Sequence, residues 1–217
     1  MKPVGTARRA FIGGAALALA APPAGAQGVN PITRIDFESP IDFQPMLTGT
    51  GGPVAWSVIE DATAPAGPKV LAQTSRDRTD YRFPLAAFDQ PVLRDVDVSV
   101  RFKAVSGEVD RAAGIAVRLA DRDNYYVVRA NALEDNVRLY RVVNGQRTQF
   151  AGANAKVPSR VWQELRLAVR GSRFEVFFEG RSLYSATDAT FAGPGRVALW
   201  TKADSVTSFD DLRIAAL

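Results

Sequence analysis

The chain has 217 residues, 47% hydrophobic and 23% charged, with 27 Lys and Arg against 23 Asp and Glu. It contains no cysteine and no histidine. This excludes disulfides, thiolate metal sites, cysteine nucleophiles, histidine metal ligands and the Ser-His-Asp arrangement. Any catalysis falls to carboxylates, Tyr, Lys or Arg. The formal charge of +4 is concentrated at the N-terminus: residues 1–26 carry Lys2, Arg8 and Arg9 and no acid, and without them 24 basic face 23 acidic residues. A nearly neutral remainder gives no electrostatic reason to expect a nucleic-acid partner.

The first 26 residues read as a cleavable export signal. Thr6-Ala-Arg-Arg-Ala-Phe-Ile12 supplies a charged start, Gly13–Ala21 a short apolar run and Ala24-Gly-Ala26 a small-residue cleavage site, so the expected mature chain begins at Gln27. Arg8-Arg9 followed by Phe11 is similar to a twin-arginine signal, although Ala7 stands where Ser or Thr is usual. The apolar run is well short of the ~20 residues that a spanning helix needs. The expected localisation is periplasmic or secreted, with no membrane span once the signal is removed, and the absence of Cys means that no oxidative step is required.

From residue 27 onward the pattern is one of short strands and tight polar turns. Predicted strands are Thr33–Phe37, Val54–Ile59, Lys69–Thr74 and Arg94–Ala104. The last of these alternates Val96, Val98, Val100 and Phe102 with Asp95, Asp97, Ser99 and Arg101, the mark of a half-buried antiparallel strand. Thr48–Pro53 is a Gly-rich turn, and a short helical turn is expected near Leu85-Ala-Ala-Phe88. Ala113–Leu119, Tyr125–Asn131 and Val137–Val143 come next. Asn144-Gly145 is a strong hairpin signal, because a type I′ turn needs positive φ at both central residues. Thr148–Ala151, Trp162–Val169, Phe174–Phe178, Arg181–Tyr184, Arg196–Thr201 and Thr207–Ile214 complete the set. With no linker and no repeat, the expectation is one all-β, two-sheet antiparallel sandwich over 27–217. Its expected core includes Val96, Val98, Val100, Phe102, Leu165, Leu167, Phe174 and Val176.

Alternation also nominates a binding face. If the apolar residues of 113–119, 125–131 and 137–143 face the core, Arg118, Arg129, Asn131, Arg138 and Tyr140 project together from one sheet face. Arg forks suit carboxylates and hydroxyls, and Tyr offers an apolar ring with a hydroxyl, so this groove fits an acidic or neutral saccharide. The competing reading is a solvated face with its Arg residues paired to Asp121, Asp123, Glu134 or Asp135. All three tryptophans read first as core; of them Trp56, next to Gly49–Pro53, is the best placed for an exposed stacking platform.

Asp123–Asn131, Asn136–Tyr140, Trp162, Gly195–Ser205 and Phe209-Asp-Asp211 together resemble concanavalin A-like jelly rolls, in particular the laminin-G-like group that includes the 3-keto-disaccharide hydrolase domain. The resemblance covers roughly 34–217 and implies a glycan-related role on a fold shared by lectins, hydrolases, lyases and adhesion modules. It also implies that the first and last strands pair. That pairing would gather Asp36 and Glu38 with Asp210 and Asp211 at one sheet edge, a carboxylate set suited to a structural calcium ion. Alternatively, Asp210 or Asp211 accepts loop amides or pairs with Arg34 or Lys202.

The catalytic signatures of this architecture are absent. The nearest string to a glucanase Glu-x-Asp-x-x-Glu is Glu108-Val-Asp110-Arg-Ala-Ala113, which lacks the final Glu and lies in a Gly-containing turn, and no Gln-x-His strand exists without His. Glu134-Asp135 are adjacent, hence on opposite faces of a strand, and read as a loop. The leading expectation is therefore an exported saccharide- or glycoconjugate-binding sandwich. The alternatives are an enzyme of the 3-keto-disaccharide hydrolase kind and a structural envelope module.

Overall fold

The computed structural model describes Met1 and residues 32–217. The expected export signal and its cleavage site after Ala26 lie outside the described residues. Fifteen strands succeed one another: β1 Ile32–Ile35, β2 Gln44–Gly49, β3 Trp56–Glu60, β4 Lys69–Gln73, β5 Arg82–Leu93, β6 Val96–Ser106, β7 Ala112–Asp121 and β8 Asn124–Asn131, then β9 Asn136–Val143, β10 Gln146–Asn154, β11 Gln163–Arg170, β12 Arg173–Phe178, β13 Arg181–Thr187, β14 Gly195–Trp200 and β15 Val206–Ala216. They form two antiparallel sheets. The back sheet runs β13-β12-β11-β6-β15-β4-β3, with β1 paired to β15; the front sheet runs β10-β9-β8-β7-β14-β5-β2. No helix of the described residues is long and apolar enough to cross a membrane.

Alternation fills the space between the sheets. Val96, Val98, Val100 and Phe102 of β6 lie opposite Val169, Leu167, Leu165 and Gln163 of β11 in register. The apolar members of both strands join one buried cluster with Phe174 and Val176 of β12. From the front sheet, Ile115, Val117, Tyr126, Val128, Val137, Leu139 and Leu199 pack into the same cluster. Asn144 and Gly145 form the β9–β10 turn with φ of 49° and 76°, as the hairpin signal requires.

Two strands depart from the sequence-based expectation. The segment Leu85–Phe88 is part of strand β5, not a helical turn. Its run is buried on both faces: Ala86 and Phe88 enter the inter-sheet core, while Phe83, Leu85 and Ala87 enter a second cluster on the front sheet's other face. A strand apolar on both sides shows no period-2 signal. The short β2, which pairs along β5 from Gln44↔Ala87 to Gly49↔Arg82, is also absent from the predicted set.

The second cluster exists because the front sheet curls. Strands β2 and β8 are separated by β5, β14 and β7, yet the Thr48 hydroxyl of β2 lies 2.9 Å from the Tyr125 hydroxyl of β8 and donates to the Arg122 carbonyl. Tyr81, at the head of β5, donates to the Gly145 carbonyl and accepts from the Arg147 amide, both 2.8 Å. The outer face is thus concave. Its floor carries Phe83, Tyr125, Val127, Tyr140, Val142 and Trp200. Gly114 lets Trp200 lie flat on β7: a Cβ there would come within 2.8 Å of the Val128 carbonyl and 3.1 Å of the indole.

Candidate functional site in the concave face

One end of the concave face is polar. The register places Arg129 directly opposite Arg138, Val127 opposite Tyr140, and Asn131 opposite Asn136 across β8 and β9. Arg129, Asn131, Arg138 and Tyr140 therefore share a face, as alternation predicts. Their exposure is another matter: Arg129, Asn131 and Tyr140 are buried, with 3%, 1% and 7% accessible, and only Arg138 is half-buried. They belong to a built network instead of a freely solvated surface.

The network is centred on Asp110. Its carboxylate is 1% exposed and accepts from Asn131 Nδ2 at 2.9 Å, with Lys202 Nζ at 3.2 Å and Arg129 Nη1 at 3.6 Å. Arg129 Nη2 also reaches Glu134 Oε2 at 2.8 Å and Asn136 Oδ1 at 2.9 Å, and Asn136 Nδ2 donates to Glu134 at 2.9 Å. Lys202 pairs in addition with Asp80 at the rim. Asn131 accepts from the amides of Leu133 and Glu134, which holds the β8–β9 turn that carries Glu134. Burial raises the Asp110 pKa, against the pull of Arg129 and Lys202. Burial also acts to raise Glu134, but Asn136 and Arg129 overcome it and bring its pKa below the ordinary range.

Beside this network lies Arg147 of β10. Its guanidinium carbon is 4.5 Å from the Tyr140 ring centroid, 4.7 Å from Phe83 and 5.7 Å from Trp200. Arg129 lies 5.6 Å from the same Tyr140 ring. Trp200 stacks on Phe83 at 5.3 Å, and its indole N–H donates to the Tyr125 hydroxyl at 3.3 Å.

Arg118 does not join the others. It sits in a β-bulge with φ of 49°, where the β7–β8 and β7–β14 registers both shift. The bulge turns its side chain toward the back sheet, where it donates to the carbonyls of Arg94 at 2.9 Å, Phe191 at 2.7 Å and Gly171 at 2.5 Å. Leu119 then faces the concave cluster in its place. An inserted residue reverses the face of the positions beyond it, so strict alternation fails here.

The four carboxylates expected to hold calcium are engaged by amides and arginines. Strands β1 and β15 do pair, from Ile32↔Ala215 to Ile35↔Leu212. But Asp210 is fully buried and accepts from the Ala66 and Asp211 amides at 2.8 and 2.7 Å, and Asp211 pairs with Arg34 at 2.6 Å and Arg213 at 2.8 Å. Asp36 accepts the Glu38 amide and Glu38 the Lys69 amide. Among the described residues no three Asp, Glu, His or Cys are placed to share a metal ion. Trp56 packs half-buried 5.9 Å from Phe209 in the core, and Trp162 lies half-buried just ahead of β11 with Lys103 over its ring.

The residues missing from the sequence-based site are Asp110, Lys202, Arg147, Glu134 and Asp80. In the sequence, Asp110 stands out only within an incomplete catalytic string. Arg147 lies two residues past the Asn-Gly turn on the strand that pairs with β9, a hairpin position from which its face is countable.

No family model matches the chain, and no curated protein is detectably similar to it in sequence. Solved structures are similar in fold. A carbohydrate binding module, CBM66 from Bacillus subtilis, superposes with a TM-score of 0.62 at 17% identity over 79% of this chain and 95% of its own. A Bacillus licheniformis β-glucanase gives 0.55 at 11% identity over 88% and 100%. A Bacillus subtilis protein of unknown function with a galectin-like fold gives 0.55 at 8% identity over 79% and 89%. The fold is a concanavalin A-like, galectin-like jelly roll, as the sequence resemblance implies.

Proposed function

We propose that this protein is an exported saccharide-binding module whose ligand sits on the polar end of the concave face. The observation that carries this reading is the juxtaposition of Arg129, Lys202, Asn136 and Glu134, gathered around the sealed Asp110, with the Tyr140 ring and Arg147. Planar guanidinium, amide and carboxylate groups beside an aromatic ring match the alternating hydroxyls and apolar faces of a sugar. Similarity in fold to a carbohydrate binding module and to a β-glucanase is in keeping with it. Binding is favoured over hydrolysis because Asp110, the carboxyl of this site whose pKa is raised, lies beneath Arg129 and Lys202 with 1% of its surface accessible. There it orients cations and does not meet a ligand. Export rests on the Arg8-Arg9 segment and the Ala24-Gly-Ala26 cleavage site.

A glycan array probed with the purified protein tests the site. Glu134 is half-exposed, with 53% of its side chain accessible. Glu134→Ala should weaken every hit at least several-fold, while Arg173→Ala on the back sheet, 62% accessible, should leave the hits unchanged. Equal binding by the Glu134 variant would move the ligand off this face.

A further inference from the structure

The concave face carries more fixed positive charge than its own carboxylates neutralise. The acids of the network are already committed: Asp110 to Arg129 and Lys202, Glu134 to Arg129, and Asp80 to Lys202. Two guanidinium groups on the same face are left over. Arg138 hydrogen-bonds the neutral amide oxygen of Asn154 at 2.8 Å and forms no ion pair among the described residues. Arg147 contacts aromatic rings, and its Nη1 is buried with no hydrogen-bond partner among the described residues. Across the sheet, Gln149 faces Tyr140 and Gly152 faces Arg138, and β10 carries no acid to pair with either arginine.

A half-buried guanidinium with no direct ion pair is an expensive arrangement. Cation–π contact with Tyr140, Phe83 and Trp200 offsets part of the lost hydration, but it satisfies no N–H donor. Burial also lowers the Arg147 pKa, with Arg129 adding repulsion, against the pull of Tyr140 and Asp110. Contact with three rings restrains the guanidinium, so an incoming anion meets donors that have little rotamer entropy left to lose.

Resting on the proposed saccharide site, we infer that its ligand is an anionic saccharide, bearing a carboxylate or sulfate ester, whose negative group seats on Arg147, with Arg138 further along the same face. A neutral sugar would bring hydroxyls alone to the accessible part of Arg147 and leave its charge unmatched. A carboxylate or sulfate supplies the missing charge and two or more acceptor oxygens in the geometry that a guanidinium fork prefers.

The test uses the full purified protein in titration calorimetry and thermal melting, with four probes: oligogalacturonate, its methyl ester, dextran sulfate and dextran. Oligogalacturonate, dextran sulfate or both should bind and raise the melting temperature, and the affinity should fall as NaCl rises from about 0.05 to about 0.5 M. The methyl ester and dextran should bind at least about tenfold more weakly, the effect expected for one charge-assisted hydrogen bond. Which of the two anionic probes wins identifies carboxylate or sulfate as the source. Arg147→Met should lose that preference at least about tenfold while melting no lower than the parent, since it removes an uncompensated charge and keeps the apolar stem. Arg147→Lys should recover charge but not the fork, and fall between them. If the neutral probes bind as well as the charged ones and Glu134→Ala weakens both, the anion inference is overturned and the saccharide site stands. If no probe binds and the glycan array is also blank, both readings fail.

Discussion

Asp110 shows how one residue organises a site from beneath its surface. Alone, a carboxyl with 1% exposure would be costly to ionise; here Asn131, Lys202 and Arg129 surround it. Removing one partner from such a group leaves the others buried and unmatched. Asp110→Ala should therefore cost about 3 kcal/mol of unfolding free energy, read as a drop in the urea midpoint at unchanged slope. Asp110→Asn, which retains an acceptor for Asn131, should cost less. A neutral alanine variant would mean that Lys202 and Arg129 are satisfied by Asp80 and Glu134 alone. Arg118 makes the complementary point. Its residue type suggests ligand contact, but its three carbonyl partners make it a brace between sheets.

At the scale of the strand, β6 is the clearest case of pattern becoming structure. It sits inside the back sheet between β11 and β15, with Val96, Val98, Val100, Phe102 and Ala104 all buried on one side. Val98 lies opposite Leu167 on one neighbour and Ile214 on the other. Val98→Asp places an unpaired carboxylate among these apolar side chains, a cost that approaches the whole stability of a marginally stable domain. The variant should be insoluble or lack a cooperative melting transition. A soluble variant with a normal melt would refute the inward orientation of β6. Strand β5 marks where the same logic fails, because burial on both faces erases alternation, and the bulge in β7 marks where it misleads.

Across the molecule, the two sheets are tied at one end by Asp188, just past β13 of the back sheet. It accepts from the Tyr126 hydroxyl of β8 and from Arg141 of β9, each at 2.6 Å, and from the Thr190 amide at 2.8 Å. Burial acts to raise its pKa, but these hydrogen bonds prevail and bring it down to about 2. The folded-state value thus lies below the unfolded one, so the ionised form stabilises the fold above about pH 4 and that stabilisation disappears as pH falls toward 2. Its size is about 2 kcal/mol. Urea unfolding across this interval should show Asp188→Asn less stable than the parent at pH 5, with the difference shrinking toward pH 2. A constant difference would assign the loss to packing and not to the charge.

The sequence alone determined the class of fold, the inter-sheet core and the Asn144-Gly145 turn, because alternation and turn chemistry are local consequences of the pleat and of φ. It also placed Arg129, Asn131, Arg138 and Tyr140 on one face, since β8 and β9 keep an unbroken register. The tertiary structure decided what that face is. Whether the residues are exposed depends on the curl of the front sheet, and their partners Asp110, Lys202 and Asp80 come from segments far apart in the chain. The same holds for the carboxylates at the β1–β15 edge: strand pairing brought them near one another, but nearby amides and arginines took up their oxygens. Pairing of this kind is set by long-range packing, which no local period records.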